Sequence, residues 1–155
     1  MKKINITELL IFIVSAELTG ALSRLLSGNS FEFFETLTKP PFSPPGWIFP
    51  IVWFILYALM GFAAYLIYKS DSKGRNSALV IYWAQLFLNF LWSIVFFRFN
   101  LTGLSVAVIL ALLVMVTFMI FKFGKINTKA AAINIPYILW LLYASYLNIG
   151  ILLLN

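Results

Sequence analysis

The chain has 155 residues, 63% of them hydrophobic and 10% charged, with a mean hydropathy of +0.98; a soluble domain carries about a quarter charged residues, so the solvent of this one is lipid. It holds no cysteine and no histidine, which excludes disulfides, thiol nucleophiles, the usual zinc sites and histidine-ligated haem, and no cofactor or metal is expected. The net charge of +6 and pI near 9.7 would suit a nucleic-acid partner, but the basic residues sit in the connections between apolar runs and speak against one.

Five apolar stretches are each long enough to cross a hydrocarbon core of about 30 Å, which takes roughly 20 helical residues. They fall at about 4–27, 46–69, 77–97, 101–121 and 130–154. Transmembrane strands would alternate polar and apolar residues, and these runs do not. The fold class is therefore all-α: an integral membrane bundle of five transmembrane helices forming a single domain over 1–155. The first span carries Glu8, Glu17 and Arg24 and has no cleavage site after it, so it reads as a helix rather than a signal peptide. If the helices alternate, Lys2, Lys3, Lys69, Lys73, Arg75, Lys122, Lys125 and Lys129 gather on one side, against Arg24, Lys39 and Arg98 on the other. The positive-inside rule then puts the amino terminus in the cytoplasm.

In the first span Ala16, Gly20 and Ser23 form a small-residue strip that allows close helix approach. Glu17 lies mid-span, where an ionised carboxylate costs roughly 2.5–3.5 kcal/mol; it needs either Arg24, two turns on, or a protonated state bonded to another helix. Arg24 either snorkels to the interface or meets an anionic ligand.

The connection 28–45 is the longest. Phe31, Phe34 and Leu37 recur at helical spacing with Glu32 and Glu35 opposite, which predicts a short amphipathic helix, either a lid over the bundle or a segment resting on headgroups. Residues 39–47 hold four of the six prolines. Ser43 is placed to cap the second span and Pro44 to open its first turn, and the stiff segment fixes Trp47 and Phe49, which otherwise read as an interfacial aromatic belt.

In the second span Trp53, Tyr57 and Ala64 share a face, and Gly61 with Ala64 permits a close neighbour. In the third, Gln85, Asn89 and Trp92 follow i, i+4, i+7 and must point inward, toward partners on other helices or toward a polar ligand, since an unpaired amide in hydrocarbon costs several kcal/mol. In the fifth, Tyr137, Trp140, Ala144 and Asn148 share a face with a gap at Ala144, and Pro136 frees the carbonyl of Ala132 and kinks the helix. Such a set suits a flat aromatic ligand or, equally, a filled aromatic core. The five acidic residues are scattered and form no acid/base pair.

Together Lys39-Pro40, Pro44 to Phe49, Val52-Trp53, Leu56-Tyr57, Met60-Gly61, Gln85-Leu86, Leu88-Asn89, Trp92, Phe96-Phe97, Pro136-Tyr137, Trp140, Ala144 and Leu147-Asn148 resemble the TspO and translocator-protein family, once called peripheral benzodiazepine receptors. The resemblance covers nearly the whole chain. It implies a five-helix bundle in a membrane, for a bacterial-type member the cell membrane, often as a homodimer. It also implies a pocket under the first loop for porphyrins such as protoporphyrin IX and for synthetic isoquinoline or benzodiazepine ligands. By that likeness Trp53, Asn89, Trp140 and Ala144 line the pocket, with Trp47, Phe49, Tyr57 and Trp92 beside them. Gly150 to Asn155 has no basic residue, unlike the cholesterol-recognition stretch of animal members, which argues against cholesterol as a partner. Three functions follow: a tetrapyrrole carrier or sensor; an enzyme of light-dependent porphyrin breakdown in which Trp53 and Trp140 act as catalytic residues; or a structural or stress-response subunit.

Overall fold

The computed structural model describes residues 4–155 and is helical almost throughout. The helices are α1 (Ile6–Leu26), α2 (Ser30–Thr36), α3 (Ile48–Tyr68), α4 (Arg75–Ser93, continued by a π turn over Ile94–Arg98), α5 (Thr102–Ile126), α6 (Thr128–Ile133) and α7 (Ile135–Leu154). Five helical segments are long and apolar enough to cross a membrane: Ile6–Leu26, Ile48–Tyr68, Arg75–Arg98, Thr102–Ile126 and Thr128–Leu154. In lipid a helix satisfies all its own backbone groups, which is why these runs can only be helices. The chain is an integral membrane five-helix bundle.

The helices close into a ring. α1 packs on α3, α3 on α6 and α7, α7 on α5, α5 on α4, and α4 returns to α1, with α3 and α4 also touching across the middle. Met60, Ala63, Ile67, Tyr82, Leu112 and Val116 are fully buried along its axis. At Gly61 a side chain would lie 2.7 Å from Phe12 O and Ile13 Cα. This glycine is what lets α1 and α3 approach to backbone contact.

Three local expectations are revised. Ser43 does not cap the second span: its Oγ donates to Pro40 O at 2.7 Å, and α3 begins only at Ile48, after Pro44 and Pro45 have held the chain extended. Gly46 and Trp47 then form a turn ahead of α3, and Ile48 N bonds Pro45 O. The fourth span runs five residues further than expected, to Ile126, so Lys122 and Lys125 stand on the last turns of α5, over the rings of Phe118 and Phe121, where cations suit the helix carboxyl end. The fifth span is interrupted as Pro136 requires, the break falling at Asn134, two residues before it. Asn134 carries it by bonding Ala131 O through its backbone N–H and Ala130 O through its side chain.

Lys69, Lys73, Arg75, Lys122, Lys125 and Lys129 share the end of the bundle where α1 begins. That end is tied by Lys69 Nζ to Glu8 Oε2 at 2.8 Å, a hydrogen bond that holds the ammonium above the ordinary lysine range. Lys2 and Lys3, counted above in the same bias, lie outside the described residues. The opposite end carries α2, the proline-rich loop and Asn155.

Candidate functional site

Just past the end of α1 and its cap Ser27 stands Gly28, whose φ of +67° is the left-handed conformation that stops helices and favours glycine. The chain then doubles back as α2 across the mouth of the bundle. Phe34 is buried beneath α2 while Phe31 remains half exposed on the same cavity side. Under this roof lies a cavity of about 630 Å³, set between α1, α3 and α4.

Trp47, in the turn ahead of α3, and Phe49, Trp53 and Tyr57 on α3 form its aromatic wall. Trp53 is the hub: its ring lies 5.6 Å from Tyr57, 6.4 Å from Trp92 and 6.3 Å from Tyr137. α4 contributes Asn89 and Trp92, and its terminal π turn sets Phe96 into the core and Phe97 on the cavity wall. π turns of this kind recur at functional sites because the extra residue re-aims the side chains that follow. Trp92 stacks on Phe96 at 5.8 Å.

Behind this wall runs a chain of buried hydrogen bonds. Tyr57 Oη donates to Asn89 Oδ1 (3.0 Å), Asn89 Nδ2 donates to Tyr137 Oη (2.9 Å), and Tyr137 Oη donates to Gln85 Oε1 (2.8 Å). Trp92 Nε1 donates to Asn148 Oδ1 (2.9 Å), and Asn148 Nδ2 donates to Ser105 Oγ (2.9 Å). The inward amides of α4 are therefore partnered across helices. An amide has two N–H groups and two oxygen lone pairs, so Asn89, which also lines the cavity, keeps one of each for a ligand.

α1 is the side that spacing on the other helices does not reveal. Glu17, Gly20, Ser23 and Arg24 all line the cavity. Gly20 lets the Tyr57 ring pass, since a side chain there would overlap it. Glu17 Oε1 is buried without a hydrogen-bond partner, and no ion pair joins it to Arg24 among the described residues. The signal for α1 was a charged residue deep in an apolar span, which in a membrane marks a site more often than a filler.

Of the residues singled out from sequence, Trp47, Phe49, Trp53, Tyr57, Asn89 and Trp92 meet around this one cavity, whereas Trp140 and Ala144 do not line it. Trp140 stands one layer out. Its ring meets Phe49 edge-on at 5.7 Å and Tyr143 at 5.5 Å, and it borders a shallower groove on the outer α3–α7 seam with Pro136 and Leu139. Ala144 is buried in the bundle. The α7 side of the core is filled instead by Tyr137, which joins the hydrogen-bond chain.

The family model described as TspO/MBR matches residues 9–154. The chain is 35% identical over 137 residues to a tryptophan-rich sensory protein of Cereibacter sphaeroides, covering 88% of this chain and 82% of that one. It is 32% identical over 154 residues to a tryptophan-rich protein TspO of Archaeoglobus fulgidus, covering 97% and 99% of the two chains. It is also 32% identical over 129 residues to a translocator protein of Ovis aries, covering 81% and 76%. With a family match over nearly its full length, the five membrane-crossing helices and the tryptophan-lined cavity beneath α2, this chain belongs to the TspO/MBR family.

Proposed function

We propose that the cavity binds a flat tetrapyrrole such as protoporphyrin IX, and that the protein acts as its carrier or sensor; synthetic isoquinoline and benzodiazepine-type ligands would occupy the same space. The observation that carries this reading is the aromatic wall centred on Trp53 around some 630 Å³, a size within the range of about 300–1,000 Å³ typical of ligand pockets. Rings at stacking distance suit a planar π system, and Asn89 with Arg24 offers a few polar contacts to orient it. Relatives named as sensory and translocator proteins favour sensing or carriage. The basic residues at the other end support an orientation with the α2 end outside the cell membrane.

The test is an absorbance titration of protoporphyrin IX against the protein in lipid nanodiscs. A saturable spectral shift is expected, and Trp53→Ala is expected to weaken it by at least about tenfold, the equivalent of one lost aromatic contact of about 1–1.5 kcal/mol. A wild-type protein that gives no saturable shift would overturn the reading.

A second reading, light-dependent porphyrin breakdown, is favoured by the run of oxidisable rings leading inward from the cavity through Trp53 to Trp92, Tyr57 and Tyr137. Following the same samples under light and in the dark separates the two. Under this reading Trp53→Phe abolishes porphyrin loss while leaving binding in place, and Trp140→Phe, one layer out, has the smaller effect.

A further inference from the structure

The loop that follows the α2 roof is held down rather than free. Thr38 N donates to Asn155 Oδ1 and Asn155 Nδ2 donates to Thr38 O, both at 2.9 Å. Tyr143 Oη donates to Phe42 O at 2.6 Å and Tyr146 Oη to Pro41 O at 2.8 Å. Pro40 packs so tightly on α7 that a side chain at Gly150 would lie 2.6 Å from it. Residues 38–42 are thus fastened to α7 and Asn155 by four hydrogen bonds and a packed proline.

The flank between α1 and α3 differs. The two helices touch at Gly61 and again at Gly20, where Tyr57 crosses. Past Gly20, cavity-lining residues are exposed on the outer surface: Ala21 and Arg24 on α1, Trp47 (62%) just ahead of α3 and Phe54 (64%) on it. Trp47 and Phe54 are seven residues apart, about 10 Å along the helix, so the exposed flank of the cavity extends by about that length from the α2 end of the bundle. At its rim Arg24 takes part in none of the ion pairs among the described residues.

We infer that the cavity loads sideways from the bilayer, through a portal between α1 and α3, and that its ligand is a membrane-dissolved planar amphiphile whose carboxylate is held by Arg24. An apolar ring system partitions into the leaflet before it meets the protein, the portal admits it edge-on between Ala21 and Phe54, and a guanidinium at headgroup depth pairs with a carboxylate that stays at the interface. The inference deepens the tetrapyrrole reading and rests on it.

The chain has no cysteine, so a disulfide between Thr38→Cys and Asn155→Cys locks the roof cleanly, and reduction of the same sample reopens it. Stopped-flow quenching of tryptophan fluorescence by protoporphyrin IX in nanodiscs reads the association rate. The oxidised and reduced forms are expected to associate at equal rates, while Ala21→Trp, which narrows the portal from its lipid side, slows association by at least about tenfold. A rate that falls on oxidation, or one left unchanged by Ala21→Trp, would overturn the portal. Arg24→Leu is expected to weaken binding of the diacid about tenfold or more, as for a lost charge-assisted pair, and to leave the dimethyl ester unaffected; an equal effect on both would remove Arg24 from its role. If the unmodified protein binds neither porphyrin, the functional reading fails itself; if it binds and these variants behave otherwise, only the portal does.

Discussion

A buried tyrosine hydroxyl and a single glycine each decide more than their size suggests. Tyr137 Oη accepts from Asn89 and donates to Gln85, so Tyr137→Phe leaves an amide N–H and an amide oxygen unpaired in an apolar interior. A loss of about 1–2 kcal/mol is expected, between the cost of a buried unsatisfied group and the smaller couplings measured inside membrane bundles. Tyr57→Phe removes one such bond and should cost less; the order of the two midpoints in denaturant titrations checks this. Gly61 is the steric counterpart. The atoms its side chain would strike belong to the α1 backbone and cannot rotate away, so Gly61→Ala must push the helices apart, at about 1–3 kcal/mol. Gly103, whose nearest neighbour would be 3.9 Å from an added Cβ, should accept alanine within about 0.5 kcal/mol. Thermal unfolding of the two variants side by side decides it. The inward direction of Gln85, Asn89 and Trp92 was legible because helical spacing and the expense of an unpaired amide in lipid act locally. Their partners were not, because a partner is set by which helix stands opposite.

α2 illustrates how far local pattern reaches at the level of an element. The spacing of Phe31, Phe34 and Leu37 against Glu32 and Glu35 was enough to expect a short amphipathic helix, and one forms over Ser30–Thr36. Where it rests depends on Thr38 to Phe42 and on residues more than 100 positions later, Tyr143, Tyr146 and Asn155, and no periodicity links those. Asn155→Ala removes both bonds to Thr38. It is expected to speed amide exchange at Leu37, Thr38, Lys39 and Phe42 by about tenfold while the protection of α4 and α5 stays unchanged, since local opening draws on only the contacts of its own unit. Equal exchange in the two proteins would mean that Tyr143, Tyr146 and Pro40 suffice to hold the loop. The cap expected from Ser43 failed for a related reason: the prolines after it hold the backbone extended, which postpones the helix to Ile48.

At the scale of the whole molecule, the basic residues gathered at one end carry a topological prediction. With no native cysteine, Phe42→Cys, at a site 89% exposed in the loop beside α2, is expected to react with a membrane-impermeant maleimide on intact cells. Lys73→Cys, exposed at the opposite end, should react only after lysis. The reverse pattern would invert the orientation. What the sequence alone determined is whatever a helix settles for itself in lipid: five spans, because every backbone group must be bonded within its own segment; the inward direction of Gln85, Asn89, Trp92, Tyr137 and Asn148, because polar side chains in hydrocarbon need partners; and the interruption near Pro136, because proline cannot donate. Only the tertiary structure decided which neighbours close and which gape. Helical spacing gives each inward face a direction but not the helix it meets, so a face shared by Trp140, Ala144 and Asn148 appeared to belong to the same hollow as Trp53. In the bundle Tyr137 and Asn148 are drawn into hydrogen bonds with α4, which fills the α7 side, while the glycine contacts of α1 with α3 leave the open volume on the other flank, beside Glu17 and Arg24.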